Sequence, residues 1–536
     1  MSDPLEPARV RALAEALIAV PSVSPDPEGE RACAERIRAA LPADIEHGTW
    51  TTPDGRPIIW AFLRGDSYRT VVLLGHVDTV GVAEYGALGD EHGVGVAFRP
   101  EALRRRLLEH DCSLNSDAAL RALSDLEEER RAPGTWMFGR GALDMKSGIA
   151  AGLAALAALA RAPERQGSVL FVACPDEEHE SAGMRVAVGE LLRMRDERSL
   201  RLLGVLNLDF GSQPAAYAGV VGKLLIGLWV LGEPTHVSEP FRGADPARLA
   251  AAIVTRATLA DELVERWGEL EGAPPVVLRL RDLKEAYNVQ TAREAVIELN
   301  AMTMARPLAT TLEAVRGVVV EALRDFVRTR HARSPSGEGD GRRFGSRGDD
   351  GARAALDTQV LLYPDLLRRA GRDPSHDPLA DVDGDPAAAS LGAREKTLDR
   401  VRRLAAEARL SGPAVVIYLL PPYYPHAAPG EGPLCIAARR ALAREDIPVL
   451  PFYPHISDAS YVAWRGEPAA QVAEHLPALG REYELPWAAA AALDLDVVNL
   501  GPWGRDAHGL FERVHAPYAF ARLPRLIVET VLETWR

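Results

Sequence analysis

Apolar residues recur at helical spacing over residues 7–18, pause at the turn-rich Pro21-Ser-Val-Ser-Pro25, and resume over 28–41, which predicts two opening helices. The period then changes. Short β-rich runs at 70–75, 168–173 and 202–208 alternate with helical patterns at 147–161 and 182–194, the order of an α/β domain with a largely parallel sheet.

After Tyr217 the pattern changes again: a strand at 222–233, an amphipathic helix at 245–267, strands at 275–280 and 295–303, and a helix at 311–330. A helix at 391–410 and a strand at 414–420 would close a smaller α+β domain of βαββαβ order. Residues 1–217 and 424–536 then form one discontinuous catalytic domain, with 218–423 inserted into it. Within the insert, the Gly/Ser/Arg/Asp-rich 331–354 reads as an exposed loop, part of a flexible insertion near 331–390. Its Arg347-Gly-Asp349 has no support as an adhesion site. The Asp381-Val-Asp-Gly-Asp385 loop lacks the downstream bidentate acid of a calcium loop and reads as an acidic turn.

A chain of 536 residues exceeds what one core organises, in keeping with two domains. A formal net charge of -14 argues against a nucleic-acid partner. The start of the chain has no basic-then-apolar leader, and no uncharged run is long enough to span a bilayer, so a cytoplasmic protein without a membrane partner is expected. Cys33, Cys112, Cys174 and Cys435 are far apart with no paired spacing, which suggests neither a disulfide framework nor a thiolate zinc cluster.

The candidate chemistry sits where apolar runs stop. Val-Val-Leu-Leu-Gly-His76-Val-Asp78, Gly-Arg-Gly-Ala-Leu-Asp144-Met-Lys146 and Val-Leu-Phe-Val-Ala-Cys-Pro-Asp176-Glu177-Glu178 supply an imidazole, a bridging-type carboxylate and a doubled carboxylate, which two zinc ions and a general base would need. His76 and Asp78 lie two apart at a strand end and share a side, so one can bind metal while the other takes the second ring N–H; an unrelated pair is the plain alternative. Asp144 is either a metal bridge or a helix-capping acid. Adjacent buried acids at 177 and 178 are costly without a shared cation or proton, unless they form a solvated turn. Asp209 ends a further apolar run, and parallel-sheet domains gather sites at the C-terminal ends of their strands.

These motifs, with the Leu17-Ile-Ala-Val-Pro-Ser-Val-Ser24 opening and the closing Asp506-Ala-His508-Gly-Leu-Phe-Glu512-Arg-Val, make the sequence resemble the zinc-dependent aminoacylase and carboxypeptidase family. That family includes acetylornithine deacetylase, succinyl-diaminopimelate desuccinylase and glutamate carboxypeptidase. Its length, Pro454-His-Ile-Ser-Asp-Ala-Ser-Tyr461 and Gly501-Pro-Trp-Gly-Arg-Asp-Ala-His508 look most like the arginine-utilisation branch.

The resemblance implies a zinc-hydrolase catalytic domain with an inserted lid and dimerisation domain. It implies two Zn2+ ions, with Co2+ or Mn2+ as substitutes, held by His76, Asp144, Glu178, Asp209 and His508, with Asp144 bridging. His508 is preferred to His515 because Glu512 and Val514 follow it in the family's pattern. Glu177 would be the general base on a metal-bridging water, Asp78 would orient His76, and His236 would steady the oxyanion. His179 and His455 read as supporting or surface residues. Asn288, Ser457 and Asp458 are candidate substrate contacts. Two departures stand out: the 295–303 strand after Asn288-Val-Gln carries no arginine, the next beyond it being Arg306, and Ile456-Ser457-Asp458 stands where relatives carry Gly-Gly-Thr-Asp. The implied reaction is amide hydrolysis of an N-acyl amino acid or short peptide in arginine or other amino-acid catabolism, by a homodimer formed through the insert. The alternative is a catalytically silent relative that binds an amino acid or peptide.

Overall fold

The computed structural model describes residues 3–88, 93–109, 117–162, 165–239, 243–331, 358–374 and 391–536. Cys112, the 331–354 loop beyond His331, and the 381–385 acidic turn lie outside the described residues. The fold is mixed α/β, and the chain forms two compact units: Met1–Val221 with Ala427–Arg465 and Pro486–Arg536, and Gly222–His426 with Gly466–Leu485.

In the first unit an eight-stranded sheet runs Glu46–Thr51, Pro57–Leu63, Ser168–Cys174, Arg69–His76, Arg201–Asn207, Val497–Asn499, Ala216–Tyr217, Val449–Leu450. Its centre is parallel: Arg69–His76 pairs with Ser168–Cys174 on one side and Arg201–Asn207 on the other, and Val497–Asn499 continues parallel to the latter. Ser168–Cys174 is buried at every position, as expected of a central strand with both faces covered. The helix Lys146–Ala160 has no polar face and is buried almost all round, in one core with the helices Pro7–Ile18 and Leu523–Trp535. It approaches the sheet closely because Gly148 has no side chain, since a Cβ there would lie 2.1 Å from the Leu208 carbonyl oxygen. The opening hairpin, Glu46–Thr51 with Pro57–Leu63, adds an antiparallel edge that the sequence reading passed over.

In the second unit a five-stranded sheet runs Val276–Asp282, Glu294–Thr303, Gly222–Leu231, Ala414–Tyr424, Gln359–Leu362, antiparallel except for the last pair. The helices Pro246–Ala257 and Leu308–His331 pack on each other. Tyr363–Arg369 and Ala393–Glu407 share a core with Trp229, Val416 and Tyr418.

Three expectations need correction. The helix expected over 245–267 stops at Ala257: Thr258 is extended, Leu259 takes φ 58°, and the Leu259 N–H goes to the Pro275 carbonyl at 2.9 Å rather than continuing the helix. Within the supposed flexible insertion, Gln359–Leu362 is a strand parallel to residues 414–417, followed at once by the helix Tyr363–Arg369. Finally, Gly466–Leu485 groups with the second unit. There Glu482 pairs with Arg400, the Tyr483 hydroxyl accepts from the Tyr423 N–H at 3.0 Å, and Glu467 accepts from the Leu308 N–H at 2.6 Å. No helix among the described residues is long and apolar enough to cross a membrane.

Candidate metal centre

Because Arg69–His76, Ser168–Cys174 and Arg201–Asn207 are parallel neighbours, with His76 opposite Cys174 and Leu74 opposite Asn207, the residues that follow them meet at one edge of the sheet. His76 ends the first strand, Glu177 and Glu178 follow the second, and Asp209 follows the third. Asp144 arrives on the turn before Lys146–Ala160, and His508 on the loop between Gly504–Arg505 and Arg513–His515.

These side chains cluster. His76 Nε2 lies 3.0 Å from Asp144 Oδ1 and 3.9 Å from Asp209 Oδ1. The other Asp144 oxygen lies 3.0 Å from His508 Nε2, which is in turn 3.1 Å from the Glu178 carboxylate. Asp144 therefore faces one imidazole with each oxygen, the arrangement a carboxylate shared by two cations requires. Ligand atoms of His76, Asp144 and Glu178 all fall within 4.8 Å of one another. Asp144 does not cap the helix behind it, whose N-cap is Met145 with no side-chain bond. Nor is 176–180 a solvated acidic turn, since Asp176 and Glu177 are buried and the Glu178 side chain is only 6% exposed.

Asp78 is fully buried. Its carboxylate accepts the backbone N–H groups of Glu177 at 3.2 Å and Glu178 at 3.0 Å, and lies 3.5 Å from His76 Nδ1, which is also 3.2 Å from the Asp78 carbonyl. It thus ties the Glu177–Glu178 turn to the histidine strand. The turn is pinned from behind by Asp176, a non-glycine residue at φ 71°, whose carboxylate accepts from Arg56 at 2.5 Å and from the Ala182 N–H at 3.0 Å. Asp209 is held through Asn499, whose amide donates to the Asp209 carbonyl at 2.9 Å; Asn207 donates to Asn499 at 2.7 Å and to Ser457 at 2.9 Å. Gly501 must be glycine here, as a Cβ would sit 1.9 Å from the Asp209 carbonyl oxygen.

The electrostatics are those of an anionic cup. Burial, and beyond it Glu178, Asp458 and Asp209, push Glu177 well above the usual carboxylate range against the pull of His76. Burial and then Asp144 raise Asp209 to about 8. Burial opposes charge on His508, but its bonds to Asp144 and Glu178 win and hold it up to about 11. Burial works against Asp144 too, yet His508 and His76 hold it below its ordinary value. Carboxylates crowded away from water at such cost, alternating with imidazoles, form a donor set that fits divalent cations.

Ser457 is buried, and its hydroxyl accepts from Asn207 and from the Ala459 N–H at 3.3 Å, capping the turn Asp458–Val462. Burial, Asp78 and Asp176 raise the neighbouring Asp458 to about 7, with Ser181 and His76 pulling it down. His455 is half-buried with its ring 4.8 Å from that of Phe210, His179 is exposed 3.6 Å from Asp176, and His515 stacks on Trp503 at 4.6 Å. His236 and Asn288 belong to the second unit: His236 Nδ1 is 2.7 Å from Ser238 Oγ, and Asn288 Oδ1 accepts the Gln290 N–H at 3.0 Å. Arg306 is committed to the carbonyls of Glu262 and Val264 at 3.2 and 2.8 Å.

Sequence reasoning missed Arg56, Arg140, Asn207 and Asn499, polar residues buried behind the cluster; polar side chains inside apolar strands were the available signal for the asparagines. Glu30 was missed as well. It is fully buried beside Arg56, and burial, then Asp78 and Asp176, raise it to about 8 against Arg56. A carboxyl raised in the folded state adds stability below its unfolded value, and that stability is lost as pH rises towards 8. Glu30→Gln should therefore raise the melting temperature over wild type by several degrees at pH 9 and by much less at pH 5. An equal shift at both pH values in scanning fluorimetry would refute this.

The sequence model described as Peptidase family M20/M25/M40 matches residues 123–464. Protein RocB of Bacillus subtilis is 29% identical over 98% of this chain and 94% of its own length. Succinyl-diaminopimelate desuccinylase of Leptothrix cholodnii is 30% identical over 51% of this chain and 62% of its own. Among solved structures, the M20 family metallo-carboxypeptidase Sso-CP2 of Sulfolobus solfataricus superposes with a TM-score of 0.53 at 12% identity, covering 100% of this chain and 99% of that one. The di-peptidase Dug1p of Saccharomyces cerevisiae gives 0.53 at 11% identity, covering 98% and 96%. At such identities these two establish the fold alone.

Proposed function

Because the chain belongs to the peptidase family M20/M25/M40 and is thereby a metal-dependent hydrolase, we propose that it cleaves an amide bond of an N-acyl amino acid or short peptide, with two zinc ions and Glu177 as general base. The observation that carries this reading is a buried Glu177 next in sequence to Glu178, whose carboxylate meets the same His508 that faces an Asp144 carboxylate shared with His76. His76, Asp144 and Asp209 would hold one ion, and His508, Asp144 and Glu178 the other. Bound zinc supplies Lewis-acid polarisation of the amide carbonyl and acidifies water. Asp78 fixes the backbone from which the Glu177 and Glu178 side chains project. The Glu177 carboxylate takes the proton from the attacking water and later delivers it to the departing amine nitrogen.

A role for His236 at the oxyanion, and a place in arginine or other amino-acid catabolism, rest on the family resemblance. A homodimer through the second unit is supported by the edge strand Val276–Asp282, which leaves Val276, Leu278 and Leu280 exposed; light scattering of the full chain measures it. The reaction is tested by screening N-acyl amino acids and dipeptides, including arginine and ornithine derivatives, against zinc- and cobalt-loaded protein of measured metal content. Turnover of at least one class is expected. Inactivity across the screen with two metals bound would instead favour a binding protein.

A further inference from the structure

Two of the proposed ligands, Asp144 and His508, stand 364 residues apart in sequence yet are secured at one buried node. Glu512 accepts the backbone N–H groups of Leu143 at 3.1 Å and Asp144 at 3.3 Å with one oxygen, and takes the Arg140 guanidinium with the other. Arg140 continues across to the other ligand, donating to the His508 carbonyl at 3.1 Å. It also donates to the Gly81 carbonyl at 3.2 Å and to Glu84, and lies over the Tyr85 ring at 5.5 Å. Arg140 is 1% exposed and Glu512 is fully buried. His508 itself sits at φ 64°, a conformation that a non-glycine residue holds only when its surroundings impose it.

We infer that Arg140 and Glu512 form a clamp that sets the distance of the His508 turn from Asp144, and thereby governs metal uptake on the His508–Glu178 side of the centre. Neither residue touches a ligand side chain in the contacts above; both are positioning residues. The planar fork is what the task needs, since one guanidinium must meet a carboxylate and a carbonyl at once, and an ammonium cannot bridge both in that geometry. The inference rests on the ligand set proposed above.

Arg140→Lys in the full chain tests it by two readouts. In the metal-free protein, amide hydrogen exchange over 506–512 should quicken about tenfold while that of Ser168–Cys174 stays at the wild-type rate. In a Co2+ titration followed by visible absorption, the first equivalent should bind as in wild type and the second about 10–100-fold more weakly. Wild-type affinity for the second equivalent, or equal weakening of both, overturns the inference. If wild type itself takes only one equivalent, the two-zinc reading fails and the exchange readout alone decides the clamp. Should Arg140→Lys not fold, Glu84→Ala serves: the Glu84 side chain is 35% exposed, and its loss removes a single partner of Arg140. Exchange over 506–512 should then rise about threefold, and an unchanged rate overturns the clamp.

Discussion

Glu177→Gln is expected to lower kcat by about 10^3-fold or more while metal content stays at the wild-type value. Proton transfer by a positioned side chain contributes on the order of 10^2–10^4 to a rate, and glutamine keeps the shape but cannot accept the proton. Metal uptake is spared because the proposed ligands are other residues, and the Glu177 N–H held by Asp78 belongs to the backbone. Stability should also be spared. In the metal-free protein burial and neighbouring anions disfavour charge on Glu177, so a neutral side chain removes a cost there, and the metal-free variant should melt at or above metal-free wild type at pH 8. Steady-state kinetics and elemental analysis on one sample make the comparison. More than about a tenth of wild-type turnover would remove Glu177 from the base role.

Asp144→Ala should have the second large effect, by a different route. Each proposed metal position has Asp144 as one of three ligands, so the substitution weakens both together. Affinity at each should fall by more than about 100-fold, given that outer partners alone are worth 10–100-fold. Metal retained after dialysis should drop from about two equivalents to below about one-half, with activity falling in parallel. A thermal readout separates this from misfolding. Ligands that bind only the folded state stabilise it by mass action, about 2.7 kcal/mol at a hundredfold excess over Kd. A chelator should therefore lower the melting temperature of wild type and leave that of Asp144→Ala unmoved. If Asp144→Ala retains two metals, Asp144 is not shared between them.

The parallel strands of the first unit were legible because both faces are covered, which writes them as unbroken apolar runs such as 70–75 and 168–173. His76, Asp144, Glu178 and Asp209 stood out for a related reason: a carboxylate or imidazole that ends such a run needs an explanation. His508 had no such local sign. It lies in a loop, and only the resemblance carried by 506–514 selected it. The supporting residues were harder still, because what makes Arg140 or Arg56 matter is a partner far away in sequence, Glu512 in one case and Asp176 in the other. The hairpin at 46–63 was missed because its first strand is exposed along most of its length and shows no buried alternation. Gln359–Leu362 was missed because it is short and bordered by polar, glycine-rich sequence, with its pairing partner about fifty residues downstream.

Val497–Asn499 lies between Arg201–Asn207 and Ala216–Tyr217, strands laid down nearly three hundred residues earlier. In chain order that slot is therefore filled only after the whole second unit. Asn499, Gly501 and His508 all arrive after it. His76, Asp144, Glu178 and Asp209 all precede the second unit in the chain, whereas the strand that steadies Asp209 follows it, so the cup is complete only once residues 497–508 have joined the sheet. A chain cut upstream of residue 497 should therefore hold the proposed metal ions far more weakly than one that includes residues 497–508.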